Sequence, residues 1–86
     1  MGKQNEALKL AIKDELIGEF RVVGGRVGAL IPTAWLYDDF LPSLSAKEEQ
    51  AMEETTAEMI QAGIIAYVPG PQPTYQLTKQ GAAMLC

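Results

Sequence analysis

The sequence predicts an α+β domain, helical over most of its length, with one β-hairpin and a short closing helix. Three observations predict it. Apolar residues recur at three- and four-residue steps in two separate segments. A capping signature, Ser45-Ala46-Lys47-Glu48, opens the second of them and Gly63 follows it. Two short runs rich in β-branched and aromatic residues flank Pro69-Gly70-Pro71-Gln72-Pro73, which can be neither helix nor central strand. The chain of 86 residues is expected to form one domain over 1–86, because it has material for a single core.

The elements follow in order. Leu8, Ala11, Ile12, Leu16 and Phe20 share one face of a helix over 5–20, and Ile17 widens the stripe. Asn5 is its expected N-cap, with Glu6 in the first turn and Gly18 marking a frayed end. Gly24-Gly25, between Val22-Val23 and Arg26-Val27, predicts a tight turn and then a short strand over 26–30, closed by Pro32. A short helix over 33–41 carries Leu36 and Phe40 four apart, with Trp35 beside them, and Pro42 should end it. A brief corner at Ser43-Leu44 leads to the capping box. The third helix, 46–62, has Met52, Thr56, Met59 and Ile60 as its inner stripe. Strands over 64–68 and 74–77 make a hairpin with a five-residue tip at 69–73. Thr78 caps the closing helix, 79–85, in which Gly81 permits a close approach.

Composition narrows the function. Hydrophobic residues make up 48% of the chain, which suits a folded globule. There is no His, which removes imidazole acid–base chemistry and every His metal ligand. The one Cys, Cys86, cannot form an internal disulfide, a thiolate zinc site or an iron–sulfur cluster, and no reactivity is assigned to it. Without His, catalysis would need carboxylates, Lys or Tyr gathered in a pocket, so a non-catalytic protein without cofactors is expected. No apolar leader core follows Met1. The longest charge-free run, 59–78, is broken by Pro69, Pro71 and Pro73. A soluble cytoplasmic protein with no membrane partner is therefore expected.

The order helix-strand-helix-helix-strand-wing-strand-helix resembles the winged helix-turn-helix domain. Two runs carry the resemblance. Met59-Ile60-Gln61-Ala62-Gly63-Ile64-Ile65 is similar to the exit from the third helix in many bacterial regulators. Tyr75-Gln76-Leu77-Thr78-Lys79-Gln80-Gly81-Ala82-Ala83-Met84-Leu85 is similar to the Tyr-x-Leu-Thr-x-x-Gly-x-x-x-Leu run that leaves the wing in regulators of the multiple-antibiotic-resistance and phenolic-acid-decarboxylase repressor types. The resemblance covers nearly the whole chain. It implies transcription regulation, with the third helix in the major groove of duplex DNA and the wing on phosphate. Lys47, Gln50 and Gln61 would then lie in the groove, with Lys9, Lys13, Arg21 and Arg26 on phosphate.

The charge pattern argues for a different use of that fold. The net charge is −4, and residues 31–63 hold one cation, Lys47, against Asp38, Asp39, Glu48, Glu49, Glu53, Glu54 and Glu58, a net −6. The tip 69–73 has no cation at all. Affinity for nucleic acid comes mainly from neutralised phosphates, and few are available here. The favoured expectation is a regulatory module that binds a protein partner or a second copy of itself through Trp35, Tyr37, Glu54, Glu58 and Gln61. Mimicry of nucleic-acid charge is a sharper variant. A solvated helix face accounts for most of the acids, and Glu48 and Glu49 are favourable in a first helical turn whatever the function.

Other motifs point to no chemistry. Gly24-Gly25-Arg26-Val27-Gly28 lacks both the P-loop ending and dinucleotide-site spacing. Asp38 and Asp39 are adjacent on a helix and diverge, a poor metal pair. The alternating prolines suit a stiff wing tip better than a polyproline ligand. Of Trp35 and Tyr37, one is expected in the core and the other at a contact surface. No small-molecule substrate is inferred.

Overall fold

The computed structural model describes the backbone of residues 2–85 and the side chains of residues 5–85. Cys86 and the Lys3 side chain lie outside the described residues. Helix α1 spans Gly2–Val22, α2 spans Ala46–Gln61 and α3 spans Lys79–Leu85. Between α1 and α2 lies a π-helical turn, Trp35–Phe40, continued by a 3-10 turn, Leu41–Ser43. Strands β1 (Ile65–Val68) and β2 (Thr74–Leu77) form an antiparallel hairpin. The architecture is α+β, as expected. Among the described residues no helix is long and apolar enough to cross a membrane.

Helix α1 is longer than its apolar stripe suggests. Asn5 lies inside it and is not its N-cap, and Gly18 does not fray it. The stop comes at Gly24 and Gly25, both with positive φ, through bonds from Gly24 N–H to Arg21 and from Gly25 N–H to Phe20. The turn expected at the double glycine is present and serves as a helix terminus. Ile12, Leu16 and Phe20 enter the core from this helix.

The strand expected over 26–30 is absent, and this corrects the predicted element order. Gly28 has a φ of 89°, outside strand geometry, and only Leu30 forms a bridge, to Gln76. Three backbone bonds still tie this segment to β2: Gly28 N–H to Leu77, Leu77 N–H to Ala29, and Ile31 N–H to Tyr75. The residues pair with the hairpin without becoming a regular strand.

The 33–41 helix is also altered. Leu41 N–H bonds to the Leu36 carbonyl, five residues back, which defines the π turn. That wider turn sets Trp35 over Phe40, ring centroids 4.7 Å apart and nearly parallel. Leu41 stays helical despite preceding Pro42, and the chain turns at Ser43. A proline at the end of a helical run lacks only a donor that the end can spare.

Helix α2 begins as its sequence predicts. Glu48 N–H donates to Ser45 Oγ and Ser45 N–H to Glu48 Oε1. It ends at Gly63, φ 78°, where Gly63 and Ile64 N–H groups return to Ile60 and Met59. Its buried side chains are Ala51, Met52, Thr55, Thr56 and Met59, while Ile60, expected inward, is 39% exposed. Thr56 satisfies its hydroxyl on the Met52 carbonyl, and Thr55 reaches toward Lys9 O of α1.

Thr78 caps α3 by accepting from Gly81 N–H. Its hydroxyl donates to the carbonyls of Gly63 and Ile64, and its own N–H to Ile64. A Cβ on Gly81 would stand 2.1 Å from the Ile64 carbonyl oxygen, whereas one on Gly18 would meet nothing within 4 Å. Gly81→Ala should therefore cost about 3 kcal/mol or more, at or beyond the upper end of overpacking penalties. Gly18→Ala should stabilise the chain by about 0.5–1 kcal/mol, through helix propensity. Urea denaturation of the two variants checks both signs.

Candidate binding surface

Three surfaces hold some of the residues that the sequence singles out. The first is the seam between α1 and α2. Lys9 donates to Glu58 Oε2 and lies 3.5 Å from Glu6 Oε1, and Asn5 donates to Glu54 Oε1 at 3.1 Å. Glu54 and Glu58 thus brace α1 against α2. The Lys9 ammonium is held above the ordinary 10.5, chiefly by its hydrogen bond to Glu58; desolvation opposes this, and the charges of Glu58 and Glu6 add to it. Lys9 and Lys13 line a groove here with Glu6, Glu58 and Ala62, and Lys9 meets two carboxylates before any phosphate.

The second surface surrounds Trp35. It is half-buried, stacked on Phe40, in a shallow groove with Asp14, Glu15, Glu19 and Val22 of α1. The third is a cleft of about 410 Å³ between the π turn, α2 and the hairpin. Tyr37, Tyr67 and Tyr75 line it with Pro73, Met52 and Thr56, and Glu49 and Glu53 of α2 stand at its side. Trp35 and Tyr37 are both half-buried, so the expected division into one core and one surface aromatic does not hold.

The hairpin register builds the cleft. Tyr67 lies opposite Tyr75, two positions from the buried pair Ile65 and Leu77 and so on the same face. Near the base, Ile65 and Leu77 are in the core. Nearer the tip, Tyr75 is half-buried and Tyr67 53% exposed. Leu77 and Tyr75 spend their backbone groups on 28–31, so β1 bonds to β2 through Gln76 and Thr74. Tyr67 and Tyr75 therefore form a non-hydrogen-bonded pair, the closer kind, with rings edge to face at 6.2 Å. Tyr37 donates its hydroxyl to the Pro73 carbonyl, tying the π turn to the tip. Burial pushes its phenol above 10.0, and the neighbouring Tyr75 and Tyr67 add to the shift.

The structure does not bring the partner-binding candidates together. Tyr37 lines the cleft, Trp35 lies against α1, Glu54 and Glu58 hold the seam, and Gln61 is exposed at the end of α2. Among the nucleic-acid candidates, Arg21, Arg26, Lys47 and Gln50 are exposed. Lys47 and Gln61 are separated by fourteen helical positions, about 21 Å. Sequence reasoning missed Glu49, Glu53, Tyr67 and Tyr75. The i,i+4 spacing of the two acids and the position of the tyrosines on either side of the tip were the available signals. Among the described residues, no group of three or more His, Cys, Asp or Glu could hold a metal.

No family model, curated protein or solved structure matches this chain.

Both shifted groups predict alkaline loss of stability. A pKa raised in the folded state gives stability that is complete below the unfolded value and lost as pH climbs through the folded one. Stability should thus fall as pH rises past the ordinary values of 10.0 for Tyr37 and 10.5 for Lys9. In an ultraviolet phenolate titration Tyr37 should ionise above 10.0, and Tyr37→Phe should remove that phase.

Proposed function

We propose that the chain is a non-catalytic regulatory module of winged-helix type that acts by binding another protein. The layout of α1, a short helical turn, α2, hairpin and α3 supports the winged-helix reading, with the 69–73 tip as the wing. The Thr78 cap and the close approach at Gly81 give physical form to the run that carries the resemblance.

The observation that carries the reading is electrostatic. On α2 the exposed charges are Lys47 against Glu49, Glu53 and Glu58, and the hairpin over 65–77 contains no charged residue. A DNA reader would present these two elements to a polyanion. Lys9, the phosphate candidate nearest α2, already serves Glu58. Too little positive charge remains for counterion release to drive binding. Acidic and aromatic residues on the same elements suit a basic protein surface.

Fluorescence anisotropy with duplex DNA across a salt series tests the reading. No binding is expected at micromolar protein even at low salt. Submicromolar binding with a steep negative salt slope would overturn it in favour of a DNA-binding regulator.

A further inference from the structure

We propose that the tyrosine-lined cleft receives an arginine or lysine side chain from an extended basic segment of the protein partner. This rests on the protein-binding reading and names the chemistry of the contact. Two features of the cleft select a cation. Tyr37, Tyr67 and Tyr75 line one concavity, and the faces of aromatic rings attract cations. Glu49 and Glu53 stand beside them, one helical turn apart, and neither carboxylate has a hydrogen bond or ion pair among the described residues. This separates them from Glu48, spent on the cap, and from Glu54 and Glu58, spent on α1.

A third feature selects a peptide over a free ion. The hairpin has two strands only, and β1 bonds to β2 through Ala66 and Val68. The backbone groups of Tyr67 therefore face the outer edge of β1, where no other strand of the described residues pairs with it, whereas Ile65 on the same edge is covered by the core. An extended chain can pair with that edge and send a side chain past Tyr67 into the cleft, so main-chain bonds add to side-chain recognition. Tyr37 is already fixed on Pro73, so one wall is ordered before the ligand arrives.

The test uses the full chain and two peptides, acetyl-Val-Thr-Arg-Thr-Val-amide and the same peptide with citrulline, the neutral isostere of arginine. NMR titration follows the ring signals of Tyr37, Tyr67 and Tyr75. The arginine peptide should shift these rings and the Tyr67 amide, and citrulline should weaken binding about tenfold. The double variant Glu49→Gln, Glu53→Gln should abolish that discrimination while lowering the urea midpoint only slightly, through the lost first-turn charge of Glu49. Equal binding of the two peptides would overturn the proposal, as would shifts confined to the α1–α2 seam. Tighter binding of free choline than of the arginine peptide would overturn the assignment to a protein segment. Failure of the peptide test with no DNA binding removes the cleft assignment alone, whereas strong DNA binding removes the function reading beneath it.

Discussion

The carbonyl of Ile64 is the point on which the fold turns. It accepts from the backbone and the hydroxyl of Thr78, and Gly81 lies against it without a Cβ. Three elements meet at these atoms: the exit from α2 at Gly63, the base of the hairpin and the start of α3. The contact closes the hairpin one residue beyond the Ile65–Leu77 pair and so fixes its register. A one-residue slip of β2 would turn Leu77 to solvent and carry Tyr75 to the face opposite Tyr67. Helix termination, strand register and the shape of the cleft therefore share one cause. Gln80 reinforces it by donating to the Ala62 carbonyl.

Most of this was legible in the sequence, because its signals are local. The capping box, the Gly63 stop, the proline-rich tip, the Thr78 cap and the need for Gly81 each depend on a few adjacent residues. The failures came where distant contacts decide. Val22, Val23 and Val27 favour strand by type, yet the double glycine between them ends a helix that packs on α2. Residues 28–31 bond to β2 but cannot form a regular strand through a glycine at φ 89°. The π turn was invisible because Leu36 and Phe40 fit an α-helix equally well; the Leu41 N–H bond to the Leu36 carbonyl and the Trp35–Phe40 stack show the wider turn.

The candidate surface was less legible than the fold. Counting charges placed a −6 segment correctly but treated its acids as one population. Periodicity gave Glu54 and Glu58 an outward direction without supplying the neighbour on that side. Helix α1 packs there and brings Asn5 and Lys9 with it. The tyrosines were hidden for the opposite reason. Tyr67 and Tyr75 are separated in sequence by the tip, and only strand pairing puts them face to face.

The same type of side chain thus does three jobs along α2. Glu48 closes the helix start, where a carboxylate also gains from the helix dipole. Glu54 and Glu58 offset the polarity of a seam between two helices that must pack closely. Glu49 gains the same first-turn advantage as Glu48, so its presence alone says nothing about a ligand. Its position does. Its carboxylate lines a cleft with three tyrosines and has no ion pair among the described residues. Met52 and Thr56 supply the burial on that face, so the core needs no contribution from the Glu49 and Glu53 side chains. What distinguishes a binding carboxylate from a solubilising one here is the absence of a partner among the described residues together with the aromatic walls that would share its ligand.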